Sequence, residues 1–372
     1  MRELFPALPA IPYQALLPRD LPTGDPWGWL MAQWLLEAVG LARKILQGGP
    51  ELTPGLAELA RQALYALDIE RNRMRAQHPI ADLGTRSPLP AEQAALEALE
   101  SLEPGALGRL YHTHGYAPYA THSAFFYDAR MQPVAHPDPV GFEELVGFER
   151  QLGLLRRNVE RFLRGEPALP TLLYGARGSG KSTAVKALRT HYAARGLRLV
   201  EVLSEGLEHL PELLEELRML PQKFVLYLDD LAFTAEDHRF HRLKALLEGA
   251  VYAKPLNVLV IATSNRRNLV AERWADRPEP GSEPSAWDTL QDKLALADRF
   301  GLVLTFPPFD QALYLEAVAH LLGRPLQEAD TQAALRFAQE GRGFSGRTAR
   351  AFVNWHAGEV PVPVYGVSGS NR

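Results

Sequence analysis

A chain of 372 residues, 46% of them hydrophobic, can bury a large core and fill two or three domains. A formal charge of −4 with 23% charged residues excludes a generally basic nucleic-acid coat. The absence of cysteine excludes disulfides, thiolate metal sites and thiol chemistry. The opening stretch, residues 1–6, lacks the charged, apolar and small-residue layout of a secretory leader, so a cytoplasmic protein is the expectation. Residues 1–110 are proline-rich and then helical. Apolar residues recur at three- and four-residue spacing over 27–46 and 55–77, and 91–102 reads as a further helix. Glu37, Arg43 and Lys44 interrupt the first of these, which predicts a buried helix and no membrane span. Residues 111–140 are rich in aromatics, histidine and then proline, and read as a linker packing on the core.

From Gly141 the pattern becomes regular. A helix is predicted over 150–164. Apolar strands are predicted at 171–174, 197–203, 224–228, 258–263 and 302–306, with helical stretches between them, as a parallel sheet with crossover helices requires. Residues 310–357 return to helix, and 358–372 read as a loose tail.

The first strand candidate runs into Gly175-Ala176-Arg177-Gly178-Ser179-Gly180-Lys181-Ser182-Thr183 and then a helix. This G-x-x-x-x-G-K-S spacing is a phosphate loop. Gly175, Gly178 and Gly180 free the backbone so that successive amides converge on phosphate oxygens, and the helix opening at Lys181 adds its positive end. Lys181 is placed to reach the β- and γ-phosphates, and the Ser182 hydroxyl to ligate Mg²⁺. The chain is therefore expected to bind ATP or a related nucleoside triphosphate. The strand candidate 224–228 delivers Asp229 and Asp230 at its C-terminal end, where open α/β sheets bind ligands. Asp229 is placed for Mg²⁺ and Asp230 to orient or deprotonate an attacking water. The strand candidate 258–263 ends close to Asn265, placed to sense the γ-phosphate.

Together with Arg299 just before the last strand and Arg347 at a helix start, these residues resemble the AAA+ ATPases. More narrowly, the chain resembles a bacterial AAA+ family of unassigned function that has Tyr-Gly-Ala-Arg-Gly-x-Gly-Lys-Ser, a Leu-Asp-Asp-Leu-like strand end, Ala-Thr-Ser-Asn-Arg-Arg and Asp-Arg-Phe-Gly segments. The likeness covers about residues 111–356. It implies a parallel five-stranded sheet in the order 5-1-4-3-2 (residues 141–309) followed by a helical lid (310–357), beside the mainly helical N-terminal region read from periodicity. It also implies that residues 142–147, Gly147 included, lie against the adenine. Asn265 is implied as first sensor, Arg347 as a lid residue on the γ-phosphate, and Arg299 as a finger reaching a neighbour's nucleotide, hence self-association.

The resemblance implies an oligomeric Mg²⁺-dependent ATP hydrolase that remodels or loads a protein or nucleic-acid client. Asp230 stands where most of these ATPases have Glu, one methylene longer, which keeps a slow, nucleotide-gated adaptor as the alternative. The lid with Arg347 argues against a small-molecule kinase, and the absence of Leu-Ser-Gly-Gly against an ABC-type ATPase. Tyr111, His112, His114, Tyr116, Tyr119 and His122 invite metal or base-stacking readings, but packing is the better expectation because a third metal ligand and a basic groove are not evident. Arg266 and Arg267 are left between partner contact and sheet cap, and residues 274–287 read as an exposed insertion.

Overall fold

The computed structural model describes residues 22–77, 86–231, 243–244, 246–247, 255–265 and 297–357. Arg266, Arg267, the insertion at 274–287 and the tail 358–372 lie outside them. In chain order the helices are α1 (Pro26–Glu37), α2 (Val39–Gly48), α3 (Pro54–Gln77), α4 (Pro90–Ser101) and α5 (Pro104–His114). Strands β1 (Ala124–Tyr127) and β2 (Met131–Pro133) precede α6 (Glu149–Leu163), β3 (Thr171–Gly175) and α7 (Lys181–Tyr192). Then come β4 (Leu197–Val202), α8 (Leu210–Arg218), β5 (Lys223–Leu228), β6 (Val258–Ser264) and β7 (Leu302–Phe306). Helices α9 (Gln311–Leu322), α10 (Glu328–Gln339) and α11 (Gly346–Ala357) follow.

Among the described residues seven strands form one sheet in the order β2-β1-β4-β5-β6-β3-β7. Read from β7, its first five strands have the expected 5-1-4-3-2 order. The difference is the β1–β2 hairpin at the far edge. β1 pairs parallel with β4, Ala124 opposite Leu199, and antiparallel with β2, Phe125 opposite Pro133. Part of the stretch read as linker is thus sheet. Ala124-Phe125-Phe126-Tyr127 is the run of strong β-formers within it, and it buries Phe125 and Tyr127. β3 runs parallel to both β6 and β7, with Gly175 opposite Phe306.

The chain divides into two compact units, Met1–Pro137 with Tyr192–Leu226 and Gly249–Leu259, and Asp138–His191 with Tyr227–Glu248 and Val260–Arg372. In the first unit α1, α3, α4 and α5 pack on one another around Trp27, Leu35, Leu64, Leu67 and Leu99. The single helix expected over 27–46 is broken at Ala38 (ψ 61°), which leaves the helical region between α1 and α2. Val39 and Gly40, both weak helix formers, follow the break. Arg71, 8% exposed, needs a partner at that depth and donates through Nε to Asp25 Oδ2 at 3.0 Å. Tyr111 is fully buried and donates to the Leu35 carbonyl at 2.7 Å, and the Tyr119 hydroxyl donates to Glu216 at 2.7 Å. His112 Nε2 lies 2.8 Å from the Gly49 carbonyl oxygen, so this aromatic–histidine stretch packs the unit. No described helix is long and apolar enough to cross a membrane.

In the second unit, α9, α10 and α11 close on a small core of Tyr314, Val318, Ala334, Ala338, Ala349 and Phe352. The Tyr314 hydroxyl donates to the Ala334 carbonyl at 3.0 Å. Asp310 caps α9 by accepting from the Leu313 amide at 2.8 Å.

Candidate active site

The site lies within the second unit, where β3 turns into α7. Gly175 has φ 144°, and a Cβ there would stand 1.8 Å from the Phe306 carbonyl oxygen. Only glycine allows β7 to come this close, and the approach lets the Ala176 amide donate to that oxygen at 3.1 Å. The loop is pinned at its centre by buried Ser179, which donates to the Ala176 carbonyl at 2.8 Å. It is also held by the Gly346 amide at the start of α11, which donates to the Gly178 carbonyl at 3.0 Å.

Lys181 heads α7 and is 7% exposed. Its ammonium donates to the carbonyls of Gly175 (2.9 Å) and Ala176 (2.7 Å) and to Asn265 Oδ1 (3.3 Å). Burial pushes its pKa down, with Asp230 and Asp229 pulling the other way and Arg177 adding to the fall. Asn265 in turn donates through Nδ2 to Asp230 Oδ1. Lys181, Asn265 and Asp230 therefore form one chain of hydrogen bonds.

Asp229 is the hub of the acidic side. Its Oδ1 accepts from Ser182 Oγ (2.9 Å), the Tyr227 hydroxyl (2.5 Å), Thr263 Oγ1 (2.6 Å) and the Asp230 amide (3.1 Å). Burial pushes this carboxyl up, but the bonds from Thr263, Tyr227 and Ser182 outweigh it and hold the pKa below the ordinary aspartate value. The site thus keeps an anion. Asp230 sits at φ 48°, the left-handed region that aspartate and asparagine enter far more readily than longer side chains. Its amide also donates to Thr263 Oγ1 at 3.0 Å. The short side chain at this strand end therefore has a backbone reason.

These groups face a cavity of about 530 Å³, within the ~300–1,000 Å³ of small-molecule sites. Of the residues singled out in the sequence, Arg177, Gly178, Ser179, Gly180, Lys181, Ser182, Thr183, Asp229, Asp230, Asn265 and Arg347 line it. Gly175 and Ala176 lie beneath, under the Lys181 ammonium. Gly147 (φ 84°) is outside the lining, although its neighbours Val146 and Phe148 are in it. Phe142 packs on His191, with ring centroids 5.7 Å apart, and also lies outside the lining. Arg299 is half-buried on the short helical turn Ala297–Arg299 before β7 and does not line the cavity.

Val140, Phe148, Phe309 and Leu321 give the cavity an apolar wall that can take a ring, and Phe148 lies 5.8 Å from Phe309 between ring centroids. The sequence reading missed Thr263, Tyr227 and Arg350. Arg350 lines the cavity one turn beyond Arg347 and pairs with Glu144. The signal for the first two was position: on a strand with alternating sides, Tyr227 shares a face with Asp229, and Thr263 precedes Asn265 by two.

The donor set fits a nucleotide with Mg²⁺. Ionised Asp229 and the Ser182 hydroxyl are hard oxygen ligands side by side, and Lys181, Arg177 and Arg347 carry positive charge on the same cavity.

The 5-1-4-3-2 strand order, a phosphate loop after strand β3 beside the edge strand β7, an acidic pair at a strand end and a following helical cluster define a phosphate-loop α/β protein of the AAA+ type. A family model described as Protein of unknown function (DUF815) matches residues 120–360, and the chain belongs to that family. Among solved structures it is similar to the RuvB Holliday junction branch migration motor of Thermotoga maritima. That match has 14% identity and a TM-score of 0.34 over 58% of this chain and 72% of the other. It is also similar to the ORC1 protein of Aeropyrum pernix in complex with DNA, with 16% identity and a TM-score of 0.39 over 55% and 58%. No curated protein matches.

Proposed function

We propose that this chain is an ATP-binding AAA+ ATPase that hydrolyses ATP with Mg²⁺ as an oligomer, to remodel or load a macromolecular partner in the cytoplasm. The observation that carries the reading is the convergence of Lys181, Ser182, Asp229, Asp230, Asn265 and Arg347 on one cavity. In this reading the loop amides from Gly178 to Thr183 cradle the phosphates, and Lys181 moves from the carbonyls of Gly175 and Ala176 to the β- and γ-oxygens. Ser182 and Asp229 would hold Mg²⁺, which would supply charge neutralisation at those oxygens. Asp230 and Asn265 orient the water, and Asp230 takes its proton as the water oxygen bonds to the γ-phosphorus and the bond to the β-phosphate oxygen breaks.

Residues 310–357 serve as the lid that carries Arg347 to the γ-phosphate, and Gly147 lets the chain turn beside the adenine side. Arg299, outside its own cavity, is the group offered to a neighbouring subunit's nucleotide, a role worth ~10³–10⁵ in rate where such arginines act. The client is a protein or a nucleic acid.

A second reading has its own observation. Asp230 is short and its carboxylate is engaged by Asn265, which fits a nucleotide-gated adaptor that turns over slowly.

The test is ATP binding and phosphate release by wild type and Lys181→Ala. Binding with turnover, both lost in the variant, supports the ATPase. Binding without turnover supports the adaptor, and wild type that binds no nucleotide refutes both.

A further inference from the structure

We propose that Tyr227 is a positioning residue of the nucleotide site, whose hydroxyl sets the orientation of the Asp229 carboxylate toward Mg²⁺. The inference deepens the nucleotide reading above and rests on it. A phenol at this depth needs a partner. Tyr227 is fully buried on β5, an aliphatic residue would fill a buried strand position without a polar group to satisfy, and burial raises the tyrosine pKa. The partner it has is Asp229 Oδ1, at 2.5 Å.

That oxygen is shared. Ser182, Thr263 and the Asp230 amide donate to the same atom, at 2.9, 2.6 and 3.1 Å. Four donors on Oδ1 fix the carboxylate's rotation and leave Oδ2 as the oxygen these four do not engage. Their origins differ. Ser182 is itself a ligand candidate, whose hydroxyl turns to the metal when nucleotide binds, and the Asp230 amide is backbone. Tyr227 and Thr263 are the two side chains outside the ligand set, and they come from adjacent strands of the sheet. They can hold Oδ1 after Ser182 leaves it. A rigid phenol on a rigid strand is well suited to this, because its hydroxyl moves little once the ring is packed.

A tyrosine that merely satisfied its own hydroxyl would affect stability and leave the metal indifferent. A positioning tyrosine affects the metal requirement. The experiment titrates Mg²⁺ against the full-length protein with a fluorescent ATP analogue, alongside binding of the analogue in EDTA and a thermal melt. For Tyr227→Phe the Mg²⁺ concentration giving half-maximal enhancement of binding should rise ~10–100-fold, the range typical of lost outer-shell partners. Affinity in EDTA should stay within twofold.

Thr263→Val, which removes the other side-chain donor, should move the Mg²⁺ midpoint in the same direction, and Thr263→Ser should restore it. That pair carries the test if Tyr227→Phe fails to fold. An unchanged Mg²⁺ midpoint in folded Tyr227→Phe overturns the inference while leaving the nucleotide reading intact. Wild type whose binding is the same with Mg²⁺ and with EDTA overturns the metal site itself, and the inference with it.

Discussion

Replacing Gly175 with alanine adds one methyl group where the phosphate loop passes against the backbone of β7. The new Cβ would lie 1.8 Å from the Phe306 carbonyl oxygen and 2.7 Å from its carbon. Ordinary contact begins at ~3.5 Å, so loop and strand must part by more than an ångström. The backbone there is at φ 144°, which a residue with a Cβ adopts only under strain. Overpacking costs ~1–3 kcal/mol and a strained conformation ~1–3 kcal/mol, so the variant should lose about 2–6 kcal/mol. At ~2–4 °C per kcal/mol the melting temperature falls by about 4 °C or more.

The displacement also moves the Gly175 and Ala176 carbonyls that hold Lys181, and a 1 Å misplacement of such a group is worth ~100-fold. ATP affinity should therefore drop more than the melt alone implies. Gly153→Ala in α6 is the control. It has nothing within 4 Å of a built Cβ and sits mid-helix, so it should be neutral or stabilising by ~0.5–1 kcal/mol. Differential scanning calorimetry with and without ATP reads both. If Gly175→Ala melts and binds like wild type, the close approach of β7 to the phosphate loop is wrong.

Two further outcomes are expected. Asp230→Asn keeps a residue at ease at φ 48° while removing the base, so ATP binding should persist and phosphate release should fall ~100-fold or more; retained turnover would remove Asp230 from the chemistry. In the C-terminal helical cluster, bonds from Arg324 and then the Gln327 amide hold Asp330 well below the usual carboxylate range. Its folded pKa is depressed, so its stabilising contribution is present above ~3.9 and lost as pH falls through the lower folded value. Arg324→Ala should bring that loss to higher pH, seen as earlier amide exchange in α10 on acid titration. An unshifted acid transition would show that the pair does not hold this helical cluster together.

The most legible part of the chain was the part where chemistry demands fixed spacing. A phosphate loop needs its glycines, lysine and hydroxyl at set intervals between strand and helix, so Gly175 to Thr183 could be placed to the residue. Asp229, Asp230 and Asn265 were legible because they stand at the ends of strand-like runs; the interleaved helices implied a parallel sheet, and its order from β7 to β4 came with the AAA+ resemblance. What could not be read came from tertiary choices. Ala38 breaks a run whose apolar periodicity continues through it. Residues 124–127 become strand because the edge of β4 is available to them. Tyr227 and Thr263 look like any β-favouring residues on buried strands, and only side-chain alternation across two adjacent strands turns them toward Asp229. The left-handed backbone at Asp230 leaves no periodic trace, yet it bears directly on why aspartate stands there. Arg350 reads as one more charge on an amphipathic helix until α11 sets it on the cavity.

Steady-state ATP hydrolysis with Mg²⁺ as a function of protein concentration, with Arg299→Ala beside wild type, tests the central claim most directly. A shared active site between subunits predicts specific activity that climbs with concentration and collapses in the variant, while nucleotide binding is retained. Concentration-independent turnover that Arg299→Ala leaves unchanged would contradict it.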